Sequence, residues 1–302
     1  MMVDEMMVDG VMRSLRQWTG AGTRWLALSI MALGGLSSAA CDFGGGIGGG
    51  LGGGGGLGGG GGAAVFARNG RCDTRTFQQG GFRFFVPTGG NGCTAPFPVV
   101  TWGNGTATGP QSYTAFLTNV ASHGFTVVAS NSSNVGTGTQ LVQGARMARQ
   151  MQNTGNRGCS MGYSQGGGGA VNAFRNGRPD LVCAVALAPD ITFTSNASGN
   201  GLSRILYLGG SADNIAPVGR NANRLFQQTG TPKAIGVVNG ADHFESLGNA
   251  GRFAGPAIGF LVATLRPDDP DADAARALFN GGGNCGLRNL QGFGQVTCQG
   301  NF

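Results

Sequence analysis

The sequence predicts an α/β protein with a mostly parallel central sheet and helices on both of its faces. Three observations carry that reading. Short, almost wholly apolar runs recur along the chain, as strands buried on both faces require. Stretches with apolar residues at helical spacing separate them. Glycines mark the joins, where the chain must turn sharply.

The chain has 302 residues, which suits one large α/β domain behind a leader. Residues 1–41 read as that leader. Arg13, Arg16 and Arg24 precede the apolar run 25–33, which is too short to span a bilayer comfortably, and small residues then lead to Cys41. Residues 1–11 are acidic, the wrong charge for the start of an export signal, so translation is expected to begin at Met12. Intact N-terminal peptides covering Met1 would count against that start. Ser38-Ala39-Ala40-Cys41 resembles a bacterial lipobox, with Ser38 where an aliphatic residue is usual. Cys41 is therefore the lipidation candidate, and ordinary cleavage around Ala40 is the alternative. Residues 42–63 are mostly glycine and read as a flexible tether. The folded domain is expected over residues 64–302.

Within it, residues 81–87 form the first candidate strand, flanked by Cys72 and Cys93, which are placed to close a hairpin-like region. Residues 98–102 are a second strand, ending in Gly103-Asn104-Gly105-Thr106. An amphipathic stretch over 112–120 follows, with Tyr113, Phe116 and Val120 on one face. Gly124 punctuates before the strand 125–129. Residues 140–152 read as a helix presenting Leu141, Ala145, Ala148 and Met151. Residues 158–161 lead as a strand into a turn and a helix near 167–174. The runs 181–187, 205–208 and 234–238 complete the set. Chemistry in such sheets sits at the carboxyl ends of the strands.

Composition narrows the function classes. Only 11% of residues are charged, and the net charge of +6 is carried almost entirely by arginine, Lys233 being the single lysine. The basic residues neither cluster nor interleave with aromatics, so no nucleic-acid partner is expected. Of the seven cysteines, setting Cys41 aside leaves six, an even number suited to an exported protein. Cys285 and Cys298 bracket a Gly/Asn-rich tail and look like a C-terminal staple. Cys159 and Cys183 fall on strands expected to be neighbours; they either pair or stand as small buried hydrophobes. No C-x-x-C or His-rich spacing suggests zinc, and no cofactor is expected. A monomer outside the cytoplasm is expected, either secreted or held at the envelope through Cys41.

The turn at Gly162-Tyr163-Ser164-Gln165-Gly166 is the most informative segment. A G-x-S-x-G turn between strand and helix forces the serine into a strained conformation and lifts its Oγ above the sheet. Alone the pattern is weak in a chain with 61 glycines. It needs a base and an acid. Of the two histidines, His123 precedes the strand 125–129 and so lies at its amino end, away from Ser164. His243 follows the strand 234–238, on the carboxyl side, and is assigned as general base. Asp213, after the strand 205–208, is the assigned acid, in the chain order Ser, Asp, His of an α/β-hydrolase. Asp190 is expected at the cleft rim, and Asp242 neighbours the histidine only in sequence. The backbone N–H groups of Gln165 and Thr106 are the expected oxyanion donors. Thr106, Gln165 and Asp190 are the residues expected against substrate.

With these residues in place, the chain resembles the bacterial polyester hydrolases and cutinases of the dienelactone-hydrolase-like, chlorophyllase-related branch of α/β-hydrolases, which includes the enzymes that degrade poly(ethylene terephthalate). The resemblance rests on the 121–128 junction, Gly162-Tyr163-Ser164-Gln165-Gly166-Gly167-Gly168-Gly169, Asp213-Asn214-Ile215-Ala216-Pro217-Val218, and Asn239-Gly240-Ala241-Asp242-His243-Phe244. It runs from about residue 82 to the end, and the Cys285–Cys298 staple resembles the family's C-terminal disulfide. It implies the α/β-hydrolase fold, a Ser164–Asp213–His243 triad, and an oxyanion amide at Gly105-Thr106. The family often carries an aromatic residue where Thr106 stands and a tryptophan where Asp190 stands. Asp190 is expected to repel anionic substrates. The function expected is an exported serine esterase acting on carboxylic esters, aliphatic polyesters included. The alternative is an inactive, surface-anchored binding protein on the same scaffold.

Overall fold

The computed structural model describes residues 62–192 and 204–302. The leader, Cys41 and nearly all of the glycine-rich linker lie outside the described residues. Among the described residues, nine strands form one sheet. In chain order they are β1 (Asp73–Gln79), β2 (Phe82–Gly89), β3 (Phe97–Gly103), β4 (Thr126–Ser130), β5 (Thr154–Tyr163), β6 (Leu181–Leu187), β7 (Ile205–Gly210), β8 (Lys233–Val238) and β9 (Phe293–Gln299). Their spatial order is β1-β2-β4-β3-β5-β6-β7-β8-β9. The six central strands, β4, β3, β5, β6, β7 and β8, run parallel, while β1, β2 and β9 join antiparallel at the two margins.

Alternate residues of the central strands divide between two cores, because successive side chains of a strand point to opposite faces. Val100 and Trp102 of β3, Met161 of β5, Val185 and Leu187 of β6, and Leu206 and Leu208 of β7 enter one core. Val99, Ala184, Ala186, Ile205 and Tyr207 enter the other. The helices α1 (Gly62–Ala67), α2 (Thr114–Ser122), α6 (Ala254–Leu265) and α7 (Ala272–Ala277) cover the first face. The helices α3 (Thr139–Ala148), α4 (Gln165–Asn176) and α5 (Ala222–Gln228) cover the second. No helix among the described residues is long and apolar enough to cross a membrane.

Four expectations change. Helix α1, from Gly62, lies partly inside the stretch read as tether, and its Ala63 and Phe66 are buried against α6. Strand β1 was not legible: it is a polar, largely exposed edge strand, so it lacks an apolar signature. The C-terminal tail is more than a staple, since residues 293–299 pair with β8 as the ninth strand. Helix α3 stops at Ala148, short of 152, and Asn153 takes a left-handed backbone at φ 61° that ends the turn. The two expected cysteine pairs form, Cys72–Cys93 and Cys285–Cys298, and so does Cys159–Cys183, whose members sit opposite each other on β5 and β6. The last pairing resolves the open alternative in favour of a bridge.

Candidate active site

Ser164 occupies the single step between β5 and α4, at φ 55° and ψ −122°. Its N–H donates to the Leu187 carbonyl at the end of β6, and its own carbonyl accepts from Asp190 N–H at 2.9 Å. The glycines around it are dictated by contact. A Cβ on Gly162 would strike the Gly166 carbonyl, and one on Gly166 would strike the carbonyl of Gly103 at the end of β3. Helix α4 can therefore begin directly on the strand ends only because three glycines meet there.

His243 and Asp213 reach the same place from the next strands of the sheet. Asp213 follows β7 and His243 follows β8, and their loops are zipped together: Ala212 N–H donates to the Ala241 carbonyl and Ser211 N–H to Val238. His243 Nε2 lies 2.8 Å from Ser164 Oγ, and its Nδ1 lies 2.7 Å from Asp213 Oδ2. All three side chains are buried. The other carboxylate oxygen of Asp213 accepts from Ile215 N–H and Ala216 N–H, at 2.9 and 2.8 Å. Burial pushes the Asp213 carboxyl up, but the His243 hydrogen bond and those two amides outweigh it and hold the group below its ordinary value. Asp213 is thus an anion that orients His243 through Nδ1, leaving Nε2 for the serine. Tyr163 lies with its ring centroid 5.0 Å from that of His243, and burial, followed by Tyr113, Asp213 and Asp242, raises its phenol so that it stays protonated.

The remaining expected residues fall as follows. His123 caps the end of α2 before β4, at the amino end of the sheet, and its Nε2 meets the Arg68 carbonyl at 2.9 Å. Asp242 is exposed and accepts from Phe244 N–H, so it shapes the histidine loop. Asp190 stands beside Ser164 through its backbone, and its carboxylate accepts from both the N–H and the hydroxyl of Thr192. Gln165 heads the first turn of α4, where backbone donors lack intrahelical acceptors. Its side chain is not available to a ligand: it is buried and accepts from Val135 N–H at 3.0 Å. Thr106 is exposed, in the loop after β3 whose Gly105 abuts the Tyr163 ring.

Sequence reading passed over several contributors. Ile215 and Phe244, 61% and 56% exposed, follow Asp213 and His243 in their loops and present apolar surface, with the Phe244 ring 6.0 Å from His243. Their apolar character in otherwise polar loops was a usable signal. Arg252 closes the histidine loop by donating to both oxygens of Glu245 at 2.9 Å and to the Asn239 carbonyl, a contact with no local signature. A groove of about 270 Å³ lined by Pro96, Asn156, Arg157 and Asp269 opens at the amino ends of β3 and β5, remote from this chemistry. No protein-family model matches the chain, and no curated protein does.

Proposed function

We propose that the chain is an exported serine esterase of the α/β-hydrolase fold, cleaving carboxylic esters through a Ser-His-Asp triad. One observation carries the reading: the unbroken hydrogen-bonded chain Ser164–His243–Asp213, with Ser164 on a positive-φ turn at the carboxyl ends of parallel strands. In the proposed cycle, Ser164 Oγ attacks the ester carbonyl carbon while its proton passes to His243 Nε2. The amides of Gln165 and Thr106 take the developing oxyanion. Collapse expels the alkoxide, which leaves as alcohol with the proton from His243. Water then repeats the sequence on the acyl-enzyme and releases acid. Asp213 stays ionised throughout and stabilises the imidazolium.

Ile215 and Phe244 favour an apolar acyl or alcohol group, short-chain esters and aliphatic polyesters among them, and Asp190 disfavours anionic ones. Three disulfides among the described residues agree with an oxidising compartment outside the cytoplasm. A fluorophosphonate probe tests the reading directly. Labelling of the folded protein that disappears in Ser164→Ala is the expected result. No labelling of folded wild-type protein would sink it and leave the inert binding-protein alternative.

A further inference from the structure

A closed ring of hydrogen bonds lies behind the exposed loop that follows β3. Gly105 N–H donates to the Tyr113 hydroxyl at 3.1 Å, and Thr108 Oγ1 donates to the Gly105 carbonyl at 2.8 Å. Tyr113 and Thr108 are themselves 2.7 Å apart, hydroxyl to hydroxyl. Each hydroxyl has one proton. Since the Thr108 proton is committed to Gly105, the Tyr113 proton must go to Thr108 Oγ1. The direction around the ring is then fixed: Gly105 N–H to Tyr113, Tyr113 to Thr108, Thr108 back to the Gly105 carbonyl. Thr108 N–H adds a second donor to that same carbonyl at 3.2 Å.

The Gly105 carbonyl and the Thr106 N–H belong to one planar peptide group and point in opposite directions. Two donors pulling the carbonyl back into its own turn leave the Thr106 N–H facing out of it. Hydrogen bonds at a carbonyl also polarise the amide and strengthen its N–H as a donor. The ring cannot swing away as a unit. Tyr113 is fully buried, with its ring 4.8 Å from Trp102 and 5.9 Å from Tyr163. Tyr163 in turn fills the space where a Gly105 side chain would stand and packs on His243. We infer that Tyr113 and Thr108 are positioning residues for the reaction, locking the peptide plane that offers Thr106 N–H to the oxyanion. This inference rests on the esterase reading.

The experiment uses the full chain and three variants: Thr108→Val, Thr108→Ser and Tyr113→Phe. Steady-state hydrolysis of a soluble short-chain ester is measured beside the affinity for phenylboronic acid, which forms a tetrahedral adduct on a catalytic serine. Loss of the lock is expected to lower kcat by about 10- to 100-fold in Thr108→Val and Tyr113→Phe, with KM little changed. Boronate affinity should fall by a similar factor, and Thr108→Ser, which keeps the hydroxyl, should behave as wild type. If Tyr113→Phe does not fold, Thr108→Val decides alone. Unchanged kcat in Thr108→Val, or a fall in kcat with boronate affinity intact, would overturn the assignment. Fluorophosphonate labelling of wild type separates the two levels: a labelled enzyme indifferent to Thr108 refutes the lock only, and an unlabelled one refutes the esterase itself.

Discussion

At φ 55° and ψ −122°, Ser164 holds a backbone conformation that is crowded for any residue with a Cβ and costs of order 1–3 kcal/mol. Glycine adopts it freely. Ser164→Gly and Ser164→Ala should therefore be equally inactive, yet the glycine variant should unfold at the higher denaturant concentration. Equal midpoints would mean that the turn stores no strain. Asp213 makes a second residue-scale prediction. Its folded carboxyl titrates below its ordinary value, so the unfolded chain takes up the proton first as pH falls. The stability it contributes is complete above the unfolded value of about 3.9 and is lost as pH drops through the folded value. In Asp213→Asn the wild-type advantage should vanish in that acid window, read from urea midpoints across pH. At neutral pH the same variant should lose roughly 10⁴-fold in kcat, because the wrong imidazole tautomer then faces the serine.

Elements meet at the site through backbone rather than side chains, and glycine makes that possible. Helix propensity favours alanine over glycine at position 166 by about 1 kcal/mol, but a Cβ there collides with the Gly103 and Asn104 carbonyls. Contact should win, and Gly166→Ala is expected to lose at least about 2 kcal/mol in thermal or chemical unfolding. At the other end of the sheet, Lys233 begins β8 and is buried, with Nζ donating at 2.8 and 2.7 Å to the carbonyls of Phe226, in the last turn of α5, and Thr229, just beyond it, and lying 4.5 Å from the Phe226 ring. It serves as the C-terminal cap of that helix. Lys233→Met keeps the bulk but removes the ammonium from both carbonyls, leaving Phe226 only the Thr229 N–H at 3.3 Å, so a loss of about 1–3 kcal/mol is expected. An unchanged midpoint would show that water replaces the ammonium. Composition flagged this lysine as the only one in the chain, but not that it is buried. The two carbonyls it caps come within its reach only once α5 has ended beside β8.

For the whole molecule, the parallel centre is framed by antiparallel margins, each tied by a disulfide. The Cys285–Cys298 bridge closes a separation of 13 residues and ties β9 to the turns at 282–289, while β9 pairs with β8, the strand that delivers His243. Replacing both cysteines by serine should lower stability by about 3 kcal/mol, and activity should fail at a lower temperature than in wild type. Retained thermal tolerance would show that β9 docks without its staple.

The sequence by itself determined the parts whose signal is local. Apolar runs such as 181–187 declare a strand buried on both faces, and the Gly162–Gly166 spacing declares a turn that lifts Ser164. The position of each histidine relative to its strand was enough to prefer His243 over His123, since strand direction alone separates the two ends of the sheet. Tertiary structure decided what depends on which distant segments meet. Ser164 and His243 are 79 residues apart, and their 2.8 Å contact follows from the order β5-β6-β7-β8, not from either neighbourhood. The edge strand β1 was silent because a strand exposed to solvent needs no apolar pattern, and β9 because only Val296 and Cys298 of its seven residues are buried. The Tyr113–Thr108–Gly105 ring was silent for a different reason. Tyr113 reads by spacing as one more core aromatic, and only the packed fold turns its hydroxyl toward the Gly105 backbone. Hydrophobic periodicity records which face a residue takes; the partner of a polar atom on that face is set by the chain that folds over it.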